Sequence, residues 1–283
     1  MERIVLGYDG SPASVSALSW VADRAAREVA KVGVVNVVSQ FASDRRAALD
    51  RLSDAEAFLR QRAPGVGVEL HRLEGAVTDA LTGFATEADL LVMGINPGHP
   101  IRAALAGAMP LRVSAHSHVP VVMVPAEWAD IGDPITVGIA DGDSSDVALA
   151  FAAREADSVE GSIRLVHAWL MPTPALFSGT TALVLAPEDV MAEHRARLDA
   201  AVDWIAERYP AMSVESELVR DSRTAALLRS APRSSMLVIG ANHRGRLAGG
   251  LLGSVAEGVV WQAECPVAVV PRDQALLSRL TED

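Results

Sequence analysis

Residues 240–254 read GANHRGRLAGGLLGS, between an apolar run, SMLVI, and a helix-like run, VAEGVVWQA. A glycine-rich turn from strand to helix can hold phosphate. The first N–H groups of a helix have no partner within it and carry a partial positive charge. Gly253 would let an anion approach the backbone, and Ser254 would add a hydroxyl. The same residues also describe an ordinary helix start after a glycine turn. Asp9 and Asp141 raise a parallel choice, each following an apolar run at the head of a helix-like stretch. Their carboxylates could cap the helix, or accept from an amine or hydroxyl of a ligand.

These residues belong to an internal repeat. IVLGYDGSPASVSAL (4–18) is echoed by ITVGIADGDSSDVAL (135–149), ADLLVMG by SSMLVIG, and HVPVVMVP by ECPVAVVP. Asp9 and Asp141 differ by 132 positions. Gly94 and Gly240, Gly107 and Gly253, and Pro125 and Pro271 all differ by 146. The second copy has therefore gained about a dozen residues, placed in the Pro- and Thr-rich stretch LMPTPALFSGTTALVLAPED after its second strand. The division predicted is 1–126, a linker at 127–134 with prolines at both ends of its surroundings, and 135–283.

The elements that must position the turns follow one grammar in each half. Strands are predicted at Arg3–Tyr8, Gly33–Val38, Val68–Leu73, Leu90–Gly94 and Val119–Val124, with helices at Ala13–Ala30, Asp44–Arg62, Ala76–Ala88 and Gly107–Ala115. The second half predicts strands at Ile135–Ala140, Ser162–Trp169, Ser213–Val219, Met236–Gly240 and Val267–Val270. Near-continuous apolar strands alternating with helices mean a parallel sheet covered on both faces. Each half is thus a five-stranded α/β layer, and its ligands belong at the carboxyl ends of the strands.

Composition narrows the function classes. The chain has 283 residues, 50% of them hydrophobic, and a net charge of −11. No long basic cluster suits a nucleic-acid backbone. Lys31 is the only lysine and Cys265 the only cysteine, which excludes intrachain disulfides and fits a reducing compartment. No apolar run reaches the ~20 residues of a membrane span, and no signal-peptide pattern opens the chain, so a cytoplasmic location is expected. GxxxxGK[ST], GxGxxG after the first strand, GxSxG and HExxH are all missing. No histidine pairing suggests a metal site. His167, on a buried strand, is expected to be a satisfied core histidine, and Cys265 to be buried packing.

Taken together, the DGS and ADG turns, LVHAW, ADLLVMG and MLVIG, LLGSVAEGVV and the closing CPVAVVP resemble the universal stress protein family in its tandem two-domain form. The resemblance covers almost the whole chain. It implies two Rossmann-like domains of the adenine nucleotide alpha hydrolase-like kind, with sheet order 3-2-1-4-5. It implies that many members bind ATP through G-x2-G-x9-G-[ST] after strand 4, while others lack that loop and do not. It also implies pairing through the final strand, with tandem members pairing their halves into an intrachain pseudo-dimer, and a homodimer as a further option.

Carried over by position, the resemblance assigns Asp141, Ala168, Gly240, His243, Gly253 and Ser254 to a second-half nucleotide site. It assigns Asp9, Val37, Gly75, Gly94 and Gly107 to a degenerate first-half site. His243 and Pro97 replace the intermediate glycine, and Ala108 replaces the hydroxyl. Proline has no N–H and a fixed φ. Asp221 stands where the first half has Gly75, and its charge would repel a triphosphate unless turned away. The function implied is an ATP-binding regulatory module in stress response, with Mg2+ beside a triphosphate and an unidentified protein partner. The alternative is a nucleotide-free dimeric scaffold. A slow ATPase is weaker, because no convincing general base or catalytic lysine accompanies the loop.

Overall fold

A computed structural model describes residues 1–38, 45–97, 108–130, 132–140, 144–171, 187–241 and 253–282. The first half runs β1 (Glu2–Gly7), α1 (Pro12–Arg27), β2 (Ala30–Val38), α2 (Arg45–Arg62), β3 (Gly67–Glu74), α3 (Val77–Phe84), β4 (Leu90–Ile95), α4 (Ala108–His116) and β5 (Val121–Pro125). The second runs β6 (Ile135–Ile139), α5 (Ser144–Asp157), β7 (Ile163–Ala168), α6 (Pro187–Arg208), β8 (Val214–Val219), α7 (Arg223–Ser230), β9 (Met236–Gly240), α8 (Ser254–Val260), β10 (Val267–Val270) and α9 (Gln274–Thr281).

All ten strands form one sheet, ordered β3-β2-β1-β4-β5-β10-β9-β6-β7-β8. Each half has the expected 3-2-1-4-5 order and is parallel throughout. The halves meet where β5 and β10 pair antiparallel, Val121 opposite Val269 and Met123 opposite Val267. Helices cover both faces. One core lies under α1, α2, α5, α6 and α9, and the other under α3, α4, α7 and α8; each runs through both halves. Central strands buried on both sides explain the unbroken apolar runs of β4, β5 and β10.

Two departures from expectation have clear physical causes. Helix α1 stops at Arg27, since Glu28 is extended at φ −129° and ψ 153°, and Ala30 joins β2 opposite Glu2. Alanine favours helix locally, and sheet pairing overrides that preference. Helix α9 was not anticipated. Asp273 caps it, its Oδ1 accepting from Ala275 N at 2.8 Å, and Leu276 is buried in the core.

A buried ionic cluster also joins the halves. Arg24 of α1 donates from Nε and Nη2 to both carboxylate oxygens of Glu2, at 2.8 and 2.7 Å. It reaches across to Glu155 of α5, with Nη2 to Oε1 at 2.7 Å and a second contact from Nη1 to Oε2. Arg24 and Glu155 are each 7% exposed. Burial opposes the guanidinium charge, but Glu155 and then Glu2 outweigh it and hold the charge firmly.

Cys265 is 5% exposed, and burial pushes its thiol up to about 12. The thiolate is the reactive form. At pH 8 the native chain is therefore expected to alkylate on the order of a thousandfold more slowly than the denatured chain. Equal labelling rates by mass spectrometry would refute this. Among the described residues, no helix is long and apolar enough to cross a membrane, and no group of three or more His, Cys, Asp or Glu is placed to hold a metal.

Candidate functional site

The same concavity occurs once in each half, at the carboxyl ends of the strands where the sheet order reverses. In the first half it lies among Gly7, Val35, Val37, Leu81, Met93, Gly94 and Met109. In the second it lies among Gly138, Val166, Ala168, Leu227, Ile239, Gly240 and Val255. These are position-for-position equivalents in the repeat. Gly7 and Gly138 share a further role: a Cβ at either would come within 3.3 Å of Leu81 or 3.2 Å of Leu227. Glycine there lets the leucine lie against the strand and form the apolar floor.

The enclosed spaces are about 160 Å3 and about 70 Å3. Full ligand clefts hold roughly 300 Å3 or more, so these have room for the end of a ligand, such as a flat ring, rather than the whole. A larger cleft of about 650 Å3 lies beside Arg24 and α9. It opens at the amino ends of the strands, away from the helix starts that bind anions in α/β sheets.

Of the second-half residues, Ala168 and Gly240 line the pocket. Gly253 and Ser254 start α8 directly beside its lining residue Val255. Gly253 is the N-cap residue, at φ −61° and ψ 154°, with no side-chain cap. Its conformation is open to any residue. Asp141 and His243 lie outside the described residues. The pocket also includes Ser145, whose hydroxyl accepts from Ala140 N at 2.8 Å and donates to Ala140 O at 3.1 Å.

In the first half Asp9, Val37 and Gly94 line the pocket, and Gly107 lies outside the described residues. Asp9 does not cap α1. Ser11 does, accepting from Ser14 N at 3.2 Å, while Asp9 Oδ1 accepts from Ser11 N at 2.9 Å in the turn before it. Burial raises the Asp9 carboxyl, but the Ser11 and Ser14 donors outweigh that and hold it below the ordinary value. Gly10 supplies the turn, at φ +78°. Gly75 follows β3 at φ +124°. Its counterpart Asp221 is tied down instead: Oδ1 accepts from Ser222 N at 2.7 Å, and Oδ2 pairs with Arg229. The anticipated repulsion of a triphosphate is therefore reduced by a neighbouring cation.

Sequence reasoning passed over one lining residue with chemistry of its own. Arg223, the first residue of α7, faces the second pocket where Val77 faces the first. The 146-residue register already paired these positions. It also missed the partner of His167. That histidine is fully buried, and its Nδ1–H donates to Ile139 O at 2.8 Å. With that tautomer, Nε2 accepts from His194 Nδ1 at 2.8 Å. The first-half equivalent is Asn36, which donates to Tyr8 O at 2.7 Å. Ala48 occupies the position of His194, and Asn36 Oδ1 has no hydrogen-bond partner among the described residues. His167 is thus a satisfied core histidine on the face away from the pocket.

The profile of the universal stress protein family matches residues 1–125 and again 133–271. The chain belongs to the universal stress protein family. A universal stress protein of Mycobacterium tuberculosis (strain CDC 1551) is 26% identical over 306 aligned residues, covering 96% of each chain. Another from the same strain is 28% identical over 291, covering 94% of this chain and 95% of the other. Among solved structures, a universal stress protein from Archaeoglobus fulgidus superposes with a TM-score of 0.72 at 18% identity, covering 96% and 97%. That likeness supports the shared fold. As a universal stress protein the chain carries two tandem domains, and the paired pockets are the same location in each.

Proposed function

We propose that the chain is a regulatory universal stress protein that binds an adenine nucleotide, chiefly in its second half. The observation carrying this reading is the duplicated pocket at the strand carboxyl ends, with Ser254 opening α8 where Ala108 opens α4. An apolar floor suits a flat base, and the uncapped start of α8 offers N–H donors and a hydroxyl to phosphate. Asp141, Ala168, Gly240, His243, Gly253 and Ser254 would form that site. Asp9, Val37, Gly75, Gly94 and Gly107 would form the weaker one, where Pro97 and Ala108 withhold donors. A triphosphate would bring Mg2+ on its own oxygens. Residues 1–126 and 135–283 would act as the two units, joined by 127–134.

Calorimetric titration with ATP, with and without Mg2+, is expected to show one principal site per chain. Ser254→Ala should weaken it about tenfold, the loss of one hydrogen bond to a charged group. Absence of heat at millimolar ATP would overturn the nucleotide reading. Parent-like binding by Ser254→Ala would overturn the phosphate assignment. A second reading, a nucleotide-free scaffold, is favoured by the donor losses in the first half and by the β5–β10 pairing that joins the halves. The final strands being used within the chain, a homodimer would have to form on another surface. We infer a cytoplasmic protein without catalytic turnover.

A further inference from the structure

We propose that the second half carries a separate site for a medium-chain fatty acid, on the opposite face of the sheet from the paired pockets. A groove of about 560 Å3 runs between α5, α6 and α9, within the size of a ligand cleft. Ile139, Leu149, Ala201 and Leu277 give it apolar walls, and Trp204 and Arg208 line one end. From Arg197 to Arg208, both on the groove, α6 rises about 16 Å. That length suits an extended chain. The groove shares only the end of β6 with the second pocket, through Ile139, Ala140 and Ser145, so the proposal does not depend on the nucleotide reading.

The repeat shows how the space arises. Tyr8 stands at the position of Ile139, and Asp54 at that of Ala200. Tyr8 is packed into the first-half core, where burial and then the nearby Asp54 charge hold its hydroxyl above the ordinary value. Ile139 and Ala200 are smaller and leave that volume open. The charge at the Arg208 end also differs. Arg62, the counterpart of Arg208, pairs with Asp23 of α1. The counterpart of Asp23 is Arg154, so α5 offers Arg208 no carboxylate there. Arg208 instead lies over the Trp204 ring, 4.4 Å from its centroid. Its contact with exposed Glu207, at 3.9 Å, is beyond hydrogen-bond reach and worth little. A guanidinium held by its face keeps its in-plane N–H donors for a carboxylate. Asp146, near the start of α5, and Arg197 lie toward the other end, and both are already engaged.

Calorimetry of the full chain with octanoate and with 1-octanol tests this, on the parent, Arg208→Gln and Ala200→Phe. The parent is expected to bind octanoate at one site, and 1-octanol about tenfold more weakly. Arg208→Gln should cost octanoate about tenfold and 1-octanol little. Arg208→Lys, which keeps the charge, should bind octanoate more tightly than Arg208→Gln. Ala200→Phe puts bulk back into the groove and should weaken both ligands. Arg208 and Ala200 are exposed, so these variants should melt close to the parent. No heat from octanoate at millimolar concentration overturns the proposal. So does an equal loss of octanoate and 1-octanol in Arg208→Gln, or parent-like octanoate binding by Ala200→Phe.

Discussion

Replacing Arg24 with alanine is expected to destabilise the chain by about 3–5 kcal/mol and to lower Tm by roughly 10 °C. The guanidinium holds two carboxylates, Glu2 from its own half and Glu155 from the other, at a site where both Arg24 and Glu155 are buried. Removing it leaves those charges facing each other in a poorly solvated space. Arg24 also lies over the Trp20 ring, 5.6 Å from its centroid, so packing is lost as well. The cost should be specific to an unbalanced cluster. Replacing all three members together by Met and Leu should recover most of the loss, because apolar groups of similar size need no partners. Denaturant melts of the single and triple variants decide the matter. A single variant within about 1 kcal/mol of the parent would show that solvent screens the cluster.

Gly94→Ala should cost about 3 kcal/mol or more, though no ligand is involved. A Cβ on Gly94 would lie 2.1 Å from the carbonyl carbon and oxygen of Ala13, and 2.5 Å from Ser14 N. These are backbone atoms at the start of α1, so relief requires moving the helix off β4. Gly138→Ala gives the contrast. Its Cβ would meet only side-chain ends, Leu227 at 3.2 Å and Ile239 at 3.4 Å, and side chains can turn aside for less than about 1.5 kcal/mol. Comparable melts for the two variants would sink the packing account. The consequence for function is that Gly94, assigned by resemblance to a nucleotide loop, is required by the fold whether or not nucleotide binds. Loss of binding in a Gly94 variant would therefore say nothing about phosphate contact, and Ser254→Ala is the cleaner probe.

The legible part of the site follows from the repeat. Gly94 and Gly240, and Val37 and Ala168, fall in equivalent places around equivalent pockets, as the offsets implied. Asp9 was legible as a turn residue, but its partner was not. Carboxylate and hydroxyl are both good caps, and only the geometry showed Ser11 taking that role. Arg223 was hidden for another reason. It opens a short helix and looks like any solvated arginine until the helix start is brought beside β7. Leu81 and Leu227 likewise read as ordinary core residues, and only the missing Cβ opposite each reveals the pocket floor.

By itself the sequence determined the class of fold, the doubling of the unit and the order of elements. Local periodicity and repeated turns encode these directly, because strands buried on both faces need continuous apolar runs. The resemblance already implied that the halves pair through their final strands, but only the tertiary structure decided the register of β5 against β10, the contact of Arg24 with Glu155, and which residues face the second pocket. The physical reason is sequence separation. Arg24 and Glu155 lie 131 positions apart, and Arg223 and Val166 come from different connections of the sheet. No short-range pattern links such residues, and they meet only when the whole sheet brings them together.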